Sequence, residues 1–378
     1  MPLAPRRTWP VLLALAALSG CATDEALRQA APSRPAEVRE RIASALPDYA
    51  PDRKGWAADI YAALAAMKIA SDTPNICAVI AITEQESGFR ADPPVANLAK
   101  IAWEEIDRRA ERAGVPKVAV HLALKLPSPD GRSYSERLDA VRTERELSLI
   151  FEDFIGMAPM GALLFARLNP IRTGGPMQVS IAFAEQHAQD HPYPYPVDGS
   201  IRHEVFTRRG GMYFGIAHLL DYPAAYDRLR YRYADFNAGR YASRNAGFQN
   251  AVSLVSGIPL DLDGDLIRHD QNASKPGATE LAVRAIGDGV GLNQREIRKS
   301  LEQGDGQGFE RTELYERVFE LADRLQRKPV PRALVPRIAL KSPKITRKLT
   351  TEWFVGRVEK RHRSCLARAQ AAPVAGSR

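Results

Sequence analysis

Cysteine is almost missing: the 378 residues contain three, Cys21, Cys77 and Cys365. No two are spaced as Cys-x-x-Cys, which excludes a cysteine-based structural zinc cluster. The seven histidines are scattered. His203-Glu204 opens a zincin-like pattern, but position 207 is threonine, so the second ligand is missing. No serine sits in a Gly-x-Ser-x-Gly elbow, which argues against that type of hydrolase. Strand signals are sparse and no repeat of fixed period is visible. No cofactor and no metal site are expected.

The one marked apolar run lies near the start. Arg6 and Arg7 precede residues 9–18, a stretch too short to span a bilayer and laid out like a secretory signal. Its end, Leu18-Ser19-Gly20-Cys21, resembles the lipobox of bacterial lipoproteins, in which the cysteine is acylated and becomes the mature N-terminus. The resemblance implies a membrane anchor through lipid on Cys21. Ala22, rather than Asp, follows it, which by the same resemblance implies the outer membrane and a periplasmic location. Cys77 and Cys365 then remain, and an oxidising compartment allows them one intramolecular bridge. Two separate buried thiols are the alternative.

Charge is unevenly spread. The net charge is +8, yet residues 327–378 carry 14 Lys and Arg against only Glu352 and Glu359, leaving the rest at −4. A basic segment often meets an anionic partner. Nucleic acid is not expected in this compartment, whereas anionic peptidoglycan and lipid head groups are. The apolar Trp353, Phe354 and Val358 argue that the segment folds.

Between these ends the pattern is helical, and the expected class is mainly α. Residues 22–52 read as a tether with a short helix at 36–46. Trp56, Ile60, Leu64 and Met67 give 55–70 an amphipathic helical spacing. Residues 93–126 read as two helices and 134–168 as helical with a break near Gly156 and Pro159. The prolines of His191-Pro192-Tyr193-Pro194-Tyr195-Pro196 force an extended stretch. Helical patterns resume over 201–220, 224–236, 245–256, 278–286, 293–303 and 309–327. Asp261-Leu262-Asp263-Gly264-Asp265 resembles the opening of a calcium loop, but Leu266 replaces the turn glycine and Asn272 the bidentate glutamate. A solvated acidic turn fits better.

The stretch 76–89 is apolar on nearly every face and ends in Glu84, Glu86 and Gly88. Pro74 and Asn75 supply a start signal, and Gly88 suits a left-handed closing position. Such a helix belongs in a core. Glu86 shares a face with Val79, Ile82 and Phe89, surroundings that would raise a carboxyl pKa as a general acid requires. Glu84, on another face above Cys77 and Ile80, is the rival.

Three stretches in order carry a further resemblance: Glu84-Gln85-Glu86-Ser87-Gly88-Phe89, Gly175-Pro176-Met177-Gln178-Val179 and Ala234-Asp235-Phe236-Asn237-Ala238-Gly239. Together they resemble the Glu-Ser, Gly-Leu-Met-Gln and Tyr-Asn-Ala-Gly motifs of lytic transglycosylases with a lysozyme-like fold. The layout also resembles a family of uncharacterised bacterial lipoproteins. The resemblance implies cleavage of peptidoglycan with Glu86 as acid/base and Ser87 orienting it. Gly175 would admit the sugar chain, Met177 and Gln178 would line a cleft, and Phe236, Asn237, Ala238 and Gly239 would close its opposite wall. Three departures stand out: Phe236 replaces a tyrosine, Pro176 replaces an aliphatic residue, and a helical insertion at about 92–168 separates the first two motifs. The expected division is signal 1–20, lipidated tether 21–52, lysozyme-like helical domain 53–326 and basic extension 327–378. A peptidoglycan-binding or scaffolding lipoprotein without catalysis is the second expectation, and no protein partner is indicated.

Overall fold

The structure, a computed structural model, describes residues 34–157, 169–268, 275–340 and 349–371. The lipobox with Cys21, the end of the expected insertion and Asn272 lie outside these residues. The described chain is mainly α, with strands limited to two antiparallel pairs of two residues each. None of its helices is long and apolar enough to cross a membrane.

Three helices open the fold: α1 (Pro35–Ala45), α2 (Arg53–Ala66) and α3 (Thr73–Glu86). Four more follow in the insertion: α4 (Leu98–Arg112), α5 (Lys117–Ala123), α6 (Tyr134–Ala140) and α7 (Glu144–Gly156). The break between α6 and α7 is absent from the sequence reading, although Thr143 and Glu146 form a reciprocal capping box there. A hairpin of β1 (Thr173–Gly174) and β2 (Val179–Ser180) leads into α8 (Ile181–Asp190). After α9 (Ile201–Val205) come α10 (Arg208–Leu220), α11 (Leu229–Ala238) and α12 (Ala242–Ser256). The remainder is α13 (Ala278–Ala285), α14 (Gly287–Val290), α15 (Gln294–Leu301), α16 (Glu313–Gln326), the strands β3 (Ala339–Leu340) and β4 (Leu349–Thr350), and α17 (Thr351–Ala371).

The interior divides into two hydrophobic cores. The larger runs from Val38 to Ala234 and takes back Phe354, Val355, Val358 and Cys365 from α17. The smaller joins Phe248, Ala251 and Val252 of α12 to apolar residues of α13 through α16. Burial runs past two of the expected boundaries. Val38, Ile42 and Ala45 of α1 and the following Leu46 are buried, so the folded body begins near residue 35 and the tether ends there. The basic stretch from 327 is core as well, because α17 buries one face along α3 in the most extensive helix pairing of the molecule.

A strap connects these cores. Residues after α16 run across α12, where Leu334 N–H donates to the Ser243 carbonyl at 2.9 Å and Arg337 N–H to that of Leu262 at 2.7 Å. The approach is close enough to require a glycine, since a Cβ on Gly247 would stand 2.6 Å from the Arg332 carbonyl oxygen. Arg244, 1% exposed, bridges the same junction: its guanidinium donates to the Gly304 and Gly306 carbonyls and lies over the Tyr241 and Phe309 rings. The expected bridge exists. Cys77 of α3 and Cys365 of α17 form a disulfide with their Cα atoms 5.5 Å apart.

Candidate functional site

α3 forms because Asp72 caps it, accepting the Asn75 N–H at 2.8 Å, and Pro74 occupies its first turn, where a missing N–H costs nothing. Every residue from Ile76 to Thr83 is buried. The helix ends at Glu86, which is half-buried, as are Glu84 and Ser87. Gly88 turns the chain with φ +58°, as expected, and Phe89 follows at φ +63°. A left-handed phenylalanine costs about 1–2 kcal/mol. Burial offsets that cost: Phe89 is 1% exposed and its ring meets Trp56 edge-on, centroids 5.5 Å apart.

The two carboxylates have different company. Glu84 faces α17, with an oxygen 3.5 Å from Arg361 Nε. Near it, Tyr49 has its hydroxyl pKa pushed up to about 12, first by burial and then by Glu84. Glu86 is presented from the end of the helix, two residues on. The Ser87 hydroxyl donates to the Thr83 carbonyl at 3.1 Å, one turn back in its own helix.

The second motif is the turn of the β1–β2 hairpin, closed by Gln178 N–H donating to the Gly175 carbonyl at 3.1 Å. Gly175 has φ +74°, and a Cβ there would fall 2.0 Å from the Val205 carbonyl oxygen. Its missing side chain therefore serves an internal approach of backbone to backbone, not room for a sugar. Met177 is fully buried and lines no cleft. It lies over Gly215 of α10, where a Cβ would meet its sulfur at 2.5 Å. Gln178, half-buried with φ +50°, donates its side-chain amide to the Gly175 carbonyl at 3.3 Å.

In the third motif, Asp235 is the organising residue. Fully buried, its carboxylate accepts from Tyr222 and Tyr226 hydroxyls at 3.0 and 2.7 Å and from Tyr241 and Ser243 N–H at 2.9 and 2.7 Å. The two N–H bonds cap the start of α12, and burial nonetheless pushes its pKa upward. Gly239 ends α11 with φ +111°. Asn237 accepts from the Thr351 hydroxyl of α17 at 3.2 Å, so its side chain is engaged within the fold. Ala238 and Phe236 are half-buried, and Phe236 packs on His218, rings 5.2 Å apart. Of the tyrosines flanking Phe236, Tyr241 donates to the Pro223 carbonyl at 3.1 Å. Tyr233 has its ring towards His362 of α17.

α10, expected as part of one helix over 201–220, packs against the second and third motifs and against the residue directly before the first. Thr83 meets Met212 at 3.7 Å, Pro176 and Met177 sit over Gly211 and Gly215, and Phe236 covers His218. The signal was legible as glycines four apart in a helix, a spacing that marks close packing on one face. The insertion helices α4, α6 and α7 enclose, with Pro170 to Thr173, an apolar cavity of about 580 Å³ whose lining includes none of Glu86, Gln178 or Asn237. The acidic turn turns inward on itself, since Asp263 accepts from Gln249 at 2.7 Å and from the Asp265 N–H at 3.0 Å.

A second cluster escaped sequence reading. His187 and His191 at the end of α8 and Asp221 at the end of α10 bring ligand-type atoms within 4.8 Å of one another. Burial first, then the His191 charge, push the His187 pKa down to about 4. The helical spacing of the two histidines was visible in the sequence, but Asp221 is thirty residues away.

With its two cores and its single disulfide, this is a mainly α protein whose motif-bearing segments converge on one helix. The chain belongs to the family described as a protein of unknown function (DUF1615), whose model matches residues 49–368. It is similar to the uncharacterized protein YaiW of Escherichia coli (strain K12), with 52% identity over 355 residues, 94% of this chain and 96% of that one. No solved structure matches it.

Proposed function

We propose that this protein is a lipid-anchored cell-envelope protein that cleaves peptidoglycan glycan strands without water, with Glu86 as the acid and then the base. The observation that supports the reading is that α10 packs against the second and third motifs and against Thr83, directly before the first, with the motifs in the chain order of lysozyme-like transglycosylases. Glu86 is chosen because it stands directly before Ser87, as the Glu-Ser motif requires; Glu84 lies on the α17 side, 3.5 Å from Arg361.

The chemistry needs one carboxyl. Glu86 protonates the glycosidic oxygen as the bond from the muramyl C1 breaks, releasing the N-acetylglucosamine hydroxyl. The resulting carboxylate accepts the proton of the muramyl C6 hydroxyl, whose oxygen closes onto C1 and leaves a 1,6-anhydro end. No second carboxylate is required, unlike in paired-carboxylate glycosidases. Digestion of purified sacculi followed by mass spectrometry tests the reading. Anhydromuropeptides absent from the Glu86→Gln digest support it; products with a reducing end mean hydrolysis and overturn it.

The second reading is a peptidoglycan-binding or scaffolding lipoprotein without catalysis. It is favoured by the helper groups: Phe236 has no hydroxyl, Ser87 is bonded to Thr83, and Tyr241 is committed to Pro223. Sedimentation with intact sacculi and no released muropeptide would select it. The anchor on Cys21 and the outer-membrane location belong to both readings, and the mass of the mature N-terminal peptide tests the lipid.

A further inference from the structure

We propose that His187, His191 and Asp221 form a binding site for one divalent ion of the zinc class, separate from the Glu86 segment. The two imidazoles are a helical turn apart and stack with centroids 4.3 Å apart and planes 11° from parallel. Asp221 reaches them from the end of α10, so two elements bring three donors together.

The independent sign of a ligand is on His187. That side chain is 5% exposed, and its Nε2 is buried without a hydrogen-bond partner. A buried nitrogen is normally paired, and one left unpaired costs the desolvation of that group. A metal ion accepting its lone pair removes the deficit. Phe183, Tyr213 and Phe214 surround the ring at 5.6, 5.7 and 6.2 Å and hold it in place. His191 is exposed and Asp221 half-buried, so the remaining coordination positions face outward. They open on a cavity of about 560 Å³ that His191 and Asp221 share with Tyr241 and Asp305.

Donor chemistry selects the ion. Two imidazoles and one carboxylate suit Zn²⁺ and its transition-metal neighbours, whereas Mg²⁺ and Ca²⁺ take oxygen ligands. Metal–ligand bonds of about 2 Å place tetrahedral donors roughly 3.3 Å apart, so binding draws the donors inward from within 4.8 Å and tilts the two stacked rings until both in-plane lone pairs point at the ion. Asp190 and Asp305 add negative charge nearby. The opposing charge is Arg240, whose guanidinium donates to the Ala217 and Asp221 carbonyls at 2.6 and 3.2 Å and lies over the Phe183 ring.

The test is calorimetric titration of the folded protein with ZnCl₂, with MgCl₂ and CaCl₂ as controls, and melting curves at each metal concentration. The expected result is one Zn²⁺ per chain, a raised melting temperature, and no response to the other two ions. His191→Gln and Asp221→Asn lie at accessible positions and should each weaken Zn²⁺ binding by about tenfold or more, with unchanged circular dichroism. No zinc binding, or the unaltered protein's affinity retained in either variant, overturns the site.

Discussion

Cys77, in the second turn of α3, is joined to Cys365 near the end of α17, across 288 residues of chain. The bond fastens the helix that ends in Glu86 to the helix that pairs with Glu84, and both cysteines are fully buried.

A loop that long makes the disulfide a large constraint on the unfolded chain, and its removal should cost about 2–5 kcal/mol. In a Cys21→Ser protein, thiol titration after denaturation without reductant should find none, and two after reduction. Urea unfolding should show a markedly lower midpoint for Cys77→Ala. Two thiols before reduction would remove the bridge.

Glu84 and Glu86 should separate cleanly. Glu84→Gln breaks a half-buried pair with Arg361 and should lower stability by about 1 kcal/mol, with sacculus digestion retained. Glu86→Gln should abolish digestion while the melting temperature holds. Equal loss of activity in both variants would mean that the proposed acid is misassigned.

Two glycine-to-alanine changes should act in opposite directions. Gly247→Ala forces a methyl against the Arg332 carbonyl oxygen at 2.6 Å and should destabilise by about 1–3 kcal/mol. Gly356→Ala, inside α17 with nothing within 4 Å of its Cβ, should stabilise by about 0.5–1 kcal/mol. Denaturant midpoints of the two variants measure both.

Acid should weaken the fold through His218. Burial first, then the Arg240 charge, hold its pKa at about 4, against a small opposing pull from the Phe236 backbone. An unfolded histidine titrates near 6.5. Between these values the unfolded chain binds a proton that the native chain refuses, so stability falls as pH drops from about 6.5 to about 4. His187 acts in the same sense. In His218→Gln the slope of unfolding free energy against pH over that window should fall by close to one proton. An unchanged slope would show that His218 is already charged.

Much was legible from local pattern. Helical spacing marked α2 at Trp56, Ile60 and Leu64, and the capping residues of α3 located it to within a few residues. The β1–β2 hairpin leaves no mark in the sequence, because two-residue strands carry no periodicity. Ser87, Gly175 and Met177 were assigned outward roles that structure turns inward. Sequence spacing names the residue but not which neighbour its side chain meets.

By itself, the sequence determined the mainly α class, the buried character of α3 and the left-handed close at Gly88, because each depends on residues within a turn or two of one another. That α1 and one face of α17 are buried, that the described interior forms two cores, and that α10 packs on the second and third motifs follow from the folded arrangement alone. It also gathered His187, His191 and Asp221. Those facts rest on contacts between residues tens to hundreds of positions apart, where shape and packing, and no local propensity, select the partner.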